Sequence, residues 1–215
     1  MKKRDLFIFD MDGTMFDTEP ISQHCWQVIC KRYGYTLPPQ IFRQFLGMNV
    51  ESIRKICVEN FGSDFPYDDI ERDKKAYQLE YYHTHDIPVK PGLQDLLDYA
   101  KGEGIPCAVA SSSALSLITY LLEKTGVASY FSIVQSGATI PNGKPAPDIF
   151  LMVCKEAGVQ PANALVLEDS MNGVLAGHNA GIPTIWIPDM IRIPDDVAAY
   201  AAECNTLADV TALLN

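Results

Sequence analysis

Positive charge is in short supply in this sequence: 17 Lys and Arg against 27 Asp and Glu give a formal net charge of −10. A binder of nucleic acid or of an anionic membrane surface needs a basic face, so neither partner is expected. No apolar run approaches the ~20 residues of a membrane span, and there is no internal repeat or low-complexity stretch. The cysteines Cys25, Cys30, Cys57, Cys107, Cys154 and Cys204 form no Cys-x-x-Cys pair and no zinc-finger spacing. Several lie in apolar segments, where a free thiol packs as a small core residue. Reduced thiols without structural zinc are the expectation, and with them a cytoplasmic protein. The basic start Met1-Lys2-Lys3-Arg4 looks like the head of a signal peptide, but Asp10 and Asp12 cut the apolar stretch that follows too early. The histidines His24, His83, His85 and His178 make no convincing metal set.

What is present is an ordinary globular balance, 47% hydrophobic and 20% charged over 215 residues. That is room for one good-sized core and a smaller appendage. The apolar run Leu6-Phe7-Ile8-Phe9 leads directly into Asp10-Met11-Asp12-Gly13-Thr14. Four apolar residues cut by acids are too short for a helix and read as a buried strand. In α/β proteins the carboxyl ends of parallel strands open into the crevice where ligands collect. Asp and Gly also form turns, so this motif alone leaves turn and chemistry both open. A calcium loop is excluded, because the sixth and twelfth positions from Asp10 hold Met15 and Ile21 where Gly and Glu are needed.

From about Pro20 to His85 the chain reads as helical, with Cys25, Trp26, Val28 and Ile29, then Ile41, Phe42, Phe45 and Leu46, then Ile53, Ile56 and Cys57 at helical intervals. A charge-rich segment from Asp68 to His83 follows, and Pro38-Pro39, Gly62 and Pro66 punctuate the helices. After Pro88, strands over 106–110, 132–135, 164–167 and 183–187 alternate with helices over 115–125, 148–157 and 171–180. Strands separated by helices of this length predict βαβ units and a parallel sheet. The expected fold is therefore α/β, a Rossmann-like core made of residues 1–16 and 88–215. An all-helical domain over 17–87 interrupts it just after the first strand, where it would serve as a lid over the strand mouths.

Three further signals end strands or open helices. Ser111, Ser112 and Ser113 precede a helix, where serine caps the N-terminus and where a hydroxyl can equally serve an anion. Lys144 stands in Gly143-Lys144-Pro145-Ala146-Pro147-Asp148, a loop whose prolines restrict the backbone enough to aim its ammonium. Glu168 and Asp169 follow the strand Ala164–Leu167. Acids at a helix N-terminus gain about 0.3–1 kcal/mol. If this strand neighbours the first, however, Asp10, Asp12, Glu168 and Asp169 share one crevice. Two unit charges ~4 Å apart repel by about 4 kcal/mol at an effective dielectric of 20. A hard divalent cation with oxygen ligands relieves that repulsion, and a site with room for phosphate and water suits Mg²⁺.

In these four motifs, Asp10-Met11-Asp12-Gly13-Thr14, Ser111, Lys144 and Glu168-Asp169, the chain resembles the haloacid dehalogenase superfamily over its whole length. The helical insertion resembles that family's C1-type cap. Gly143–Phe150 and Leu167-Glu168-Asp169-Ser170 place the chain nearest the β-phosphoglucomutase-like branch, which contains many sugar-phosphate phosphatases. The resemblance implies Asp10 as nucleophile, forming an aspartyl-phosphate, and Asp12 as general acid and base. It implies Mg²⁺ on the Asp10 and Asp169 side chains and the Asp12 carbonyl, with Glu168 direct or through water. Lys144 and Ser111 would hold the transferring oxygens, Gly13 would turn the chain, and Thr14 would support that loop. The implied activity is hydrolysis of a small phosphorylated metabolite by a monomeric enzyme.

Asp12 argues for phosphoryl transfer, since the family's dehalogenases and phosphonatases lack an acid there. A β-phosphoglucomutase would carry a His soon after the nucleophile loop and an Arg in its substrate-facing loop. Ser22 and Val50 stand there instead, so a phosphatase is preferred over the isomerase. A noncatalytic phosphate-binding regulator is the third reading, weakened by the presence of both Asp10 and Lys144. For substrate contact the candidates are Thr14, Ser112, Phe16, Glu19 and the turn Gly47-Met48-Asn49, with core packing the rival role for Phe16 and Met48.

Overall fold

The structure, a computed structural model, describes residues 4–214. The chain divides into two compact units, one of Met1–Phe16 with Val89–Asn215 and one of Asp17–Pro88. The strands are β1 (Leu6–Phe9), β2 (Cys107–Ser111), β3 (Phe131–Ser136), β4 (Ala164–Glu168), β5 (Thr184–Trp186) and β6 (Ala202–Glu203). The helices of the second unit are α1 (Glu19–Arg32), α2 (Pro39–Phe42), α3 (Val50–Phe61) and α4 (Tyr67–Thr84). Those of the first unit are α5 (Leu93–Gly102), α6 (Leu115–Lys124), α7 (Asp148–Ala157), α8 (Met171–Asn179), α9 (Asp195–Ala198) and α10 (Val210–Leu214).

In the first unit the strands form one sheet in the order β3-β2-β1-β4-β5-β6, parallel at every pairing. The order reverses between β1 and β4, which makes their carboxyl ends the switch point where such sheets open a crevice. β1, β2 and β4 are buried along their whole length, as expected of strands covered on both faces. On one face Leu6, Ile8, Ala108, Ala110 and Val166 pack with Ile149, Phe150 and Val153 of α7 and Ala176 of α8. Beyond that cluster, Trp186 packs with Val174, Ile193 and Val197. β6 is a two-residue strand that hydrophobic patterning gave no reason to expect. α5 was equally unmarked, although Leu93, Leu96, Leu97 and Ala100 supply its buried stripe at helical spacing.

The second unit is held by aromatic packing. Trp26 of α1 meets Phe45 edge-on at 5.4 Å and Tyr67 at 6.1 Å, and Phe65 lies 4.8 Å from Tyr35 and 5.0 Å from Phe61. The expected punctuation recurs at helix ends: Pro38 and Pro66 are the N-cap residues of α2 and α4, and Gly62 ends α3. Within this unit Asp17 N donates to Pro88 O at 2.9 Å, so its two ends meet.

Candidate active site at the mouths of β1 and β4

Asp10 is the residue next after β1, and its N–H continues the ladder to Leu167 O at 2.9 Å. The side chain is nearly buried, 7% exposed overall. Lys144 reaches it from the loop before α7: Nζ donates to Asp10 Oδ1 at 2.5 Å, to Glu168 Oε1 at 2.7 Å and to Ala110 O at 3.1 Å. One ammonium thus ties the ends of β1, β2 and β4. The Phe150 ring lies 5.0 Å beneath it, and Asn179 holds the loop by donating to Pro145 O at 3.0 Å.

Burial lowers the Lys144 ammonium's affinity for its proton, but the pull of Asp10 and Glu168 and their hydrogen bonds outweigh it, so the lysine stays charged. Burial pushes the Asp10 carboxyl up; Lys144 opposes this, while Glu168 and Asp12 add to it. The lysine alone does not neutralise the acids around Asp10.

Asp12 is set by the serine loop after β2. Ser113 Oγ donates to Asp12 Oδ2 at 2.9 Å and Ser111 Oγ to the same oxygen at 3.4 Å. Ser111 Oγ also accepts from Ser113 N at 3.1 Å. None of the serines caps α6, whose N-cap residue is Ala114. Ser113 itself is held from β3 by Ser136 Oγ, which donates to Ser113 O at 2.6 Å. The sequence marks all three serines but gives a role only to Ser111 and Ser112; the turn decides which hydroxyl points at Asp12, and Ser113 comes nearest. Ser112 is exposed beside them.

After β4 the acids divide their work. Glu168 is fully buried, and its Oε2 accepts from Ser170 N at 2.9 Å and Ser170 Oγ at 3.0 Å. Ser170 in turn caps α8 by accepting from Gly173 N at 3.0 Å. Asp169 is fixed from two sides: Thr14 Oγ1 donates to its Oδ1 at 3.1 Å and Trp186 Nε1 to its main-chain oxygen at 2.9 Å. Gly13 has φ +82, and a Cβ there would lie 2.4 Å from Asp169 Oδ2, so this position needs glycine on both counts. Among the described residues no three His, Cys, Asp or Glu side chains gather into a ready metal cluster.

Two of the residues expected to meet substrate have other surroundings. Thr14 is wholly buried and its hydroxyl is spent on Asp169, so it supports the acidic loop, the alternative role the sequence offered it. Phe16 is wholly buried and bridges to Asp12 and Val89, which favours packing. Glu19, in the first turn of α1, and Gly47, Met48 and Asn49 belong to the second unit. Gly47, Met48 and Asn49 are exposed, and Asn49 Oδ1 caps α3 by accepting from Ser52 N at 2.9 Å.

Sheet order and strand-end carboxylates together define a Rossmann-like α/β enzyme. The chain belongs to the haloacid dehalogenase-like hydrolase family, whose model matches residues 7–187. It is 31% identical over 211 residues, 94% of this chain and 89% of the relative, to a probable pseudouridine-5'-phosphatase of Drosophila melanogaster. A phosphorylated carbohydrates phosphatase of Thermotoga maritima is 30% identical over 181 residues, 83% of this chain and 82% of that one. In three dimensions the chain is similar to CbbY from Rhodobacter sphaeroides in complex with phosphate, with a TM-score of 0.83, 26% identity and 96% of each chain covered.

Proposed function

We propose that this hydrolase is a Mg²⁺-dependent phosphatase that cleaves a small phosphorylated metabolite, of the sugar-phosphate kind, through an aspartyl-phosphate on Asp10. The observation that carries the reading is the buried Asp10 carboxylate gripped by Lys144, with Asp12 one residue away held by two serine hydroxyls. The family relatives named as phosphatases of phosphorylated carbohydrates and of a nucleoside phosphate support the substrate class.

The residues present fit a cation. The acids Asp10, Asp12, Glu168 and Asp169 outnumber Lys144, the ammonium set among them, and the donors are all hard oxygens. Mg²⁺ keeps several waters and takes only one or two carboxylates from a protein, so Asp10, Asp169 and the Asp12 carbonyl would suffice without a three-carboxylate cluster. When bound, the ion neutralises phosphoryl charge that would otherwise repel a carboxylate nucleophile.

The chain's own groups then carry the reaction. An Asp10 oxygen attacks phosphorus as the bond to the ester oxygen breaks, and Asp12 delivers its proton to that leaving oxygen. Ser113 keeps Asp12 pointed at the bond being broken, and the longer 3.4 Å contact from Ser111 leaves that hydroxyl hydrogen to turn to the phosphoryl group. Lys144 and Ser111 hold the transferring oxygens, where preorganised charge counts most. In the second half Asp12 takes a proton from water, the water oxygen bonds to phosphorus, and the phosphorus–Asp10 bond breaks to release inorganic phosphate. Hydrolysis is preferred to isomerisation because Ser22 and Val50 stand where the mutase reading wants His and Arg.

A generic aryl phosphate tests the proposal. Turnover with Mg²⁺, loss on adding EDTA, and loss in Asp10→Asn are the expected results. Undiminished turnover by Asp10→Asn would remove the nucleophile, and conversion of β-glucose 1-phosphate mainly to glucose 6-phosphate would replace the hydrolase by the mutase.

A further inference from the structure

Asp189 is an acid at this crevice, its side chain 9% exposed, that the mechanism above leaves unused. It lies just past β5, and Ile187 N donates to Glu168 O at 2.8 Å, so its loop leaves the sheet beside the acidic end of β4. Lys90 Nζ donates to Asp189 Oδ1 at 2.6 Å, and the two side chains are 16% and 9% exposed. Lys90 is itself tied to the loop after β1 through its N–H, 2.9 Å from Met15 O. The other carboxylate oxygen, Oδ2, is buried and has no hydrogen-bond partner among the described residues. It is aimed at the acidic loop: the point where a Gly13 Cβ would sit is 3.2 Å from Asp189 Oδ2 and 2.4 Å from Asp169 Oδ2.

An ionised oxygen without a donor is costly to bury. Next to a second carboxylate the cost rises, and the Lys90 hydrogen bond goes to Oδ1, the other oxygen of Asp189. The cheapest relief is a donor placed between Asp189 and Asp169, and a water polarised by a cation is the strongest donor such a place can receive.

We propose that Asp189 is a positioning residue for the divalent cation, with Oδ1 locked by Lys90 and Oδ2 accepting a hydrogen bond from a water of the cation's hydration shell. This rests on the cation reading given above. Partners outside the ligand set fix ligand orientation, and their loss weakens metal binding by about 10–100-fold.

The test is binding of Mn²⁺ alone, followed by the electron paramagnetic resonance of the free ion, in the full chain and three variants. Asp189→Asn keeps an oxygen for Lys90 but replaces the free acceptor with an amide. It is expected to raise the Mn²⁺ dissociation constant at least about 10-fold, with a cation-free melting temperature close to that of the parent. An unchanged dissociation constant overturns the proposal, whether or not the melting temperature falls. Asp189→Ala, which removes both oxygens, is read by the same criterion if the Asn variant does not fold. Asp169→Asn separates the two claims. If it abolishes binding while Asp189→Asn binds like the parent, only the role of Asp189 fails. If the parent binds no Mn²⁺, the cation reading falls and this inference with it.

Discussion

Lys144 is the residue on which the site's electrostatics turn, because its ammonium pairs with both Asp10 and Glu168. Their side chains are at most 10% exposed, so the pair differs in kind from the surface bridges of α4. Arg72, for example, meets Asp69 at 2.6 Å on a solvated face, and such pairs contribute little. Removing one member of a buried ion pair leaves its partner's charge uncompensated, at a cost of about 3–5 kcal/mol. Lys144→Met is therefore expected to lower unfolding free energy by about that amount in EDTA. Urea denaturation checks it. Added Mg²⁺ should restore part of the loss, since it supplies positive charge to the same acids. A variant as stable as the parent in EDTA would mean that the lysine is not what compensates the charge of these acids.

At the scale of elements, the start of α8 does more than terminate a loop. Gly173 lies in its first turn, and a Cβ there would meet Glu168 Oε1 at 1.7 Å and Cδ at 1.8 Å. The helix approaches β4 this closely only because the side chain is missing. Gly173→Ala is expected to cost about 1–3 kcal/mol through overpacking, or about 2–4 °C of melting temperature for each kcal/mol. It should also lower turnover by turning Glu168 away from Lys144; a thermal melt and an aryl phosphate assay read the two effects separately. Such contacts mark the limit of sequence reading here. β1, β2 and β4 were visible as short apolar runs ended by Asp, Ser or Glu, and α7 as a helix opening at Asp148, because burial on both faces leaves a continuous hydrophobic signature. The four motif positions could be picked out because each follows a strand or opens a helix. The role of Ser113 within its run of serines could not, and neither could Asp189. Asp189 sits in a loop with no periodicity, and only the pairing of β5 with β4 brings it to the crevice. Thr14 and Phe16 were candidates for substrate contact because of their place in sequence, which says nothing of which way a tight turn points a side chain.

At the scale of the whole molecule, the chain's division into units is set by how the insertion is joined. Asp17 N bonds Pro88 O inside the second unit, and Lys90 N bonds Met15 O inside the first. Both strands of the connection are therefore already paired on each side of the boundary. Every strand of the sheet lies in the first unit, and so do Asp10, Asp12, Ser111, Lys144, Glu168 and Asp169. Excision of residues 17–88 and closure with a short Gly/Ser linker should accordingly leave a folded core, because closing a short gap costs little chain entropy. The excised protein is expected to melt cooperatively and to retain Mn²⁺ binding, since the proposed ligands and Asp189 all remain. Selectivity among phosphorylated metabolites should fall, with kcat/KM for a generic aryl phosphate less affected than for the best metabolite of the panel, as discrimination resides in that ratio. Circular dichroism with thermal melting checks the first claim and a substrate panel the second. A core that melts without cooperativity would show that the sheet needs the helical unit to fold. Selectivity equal to the parent's would leave the choice of substrate to the first unit alone.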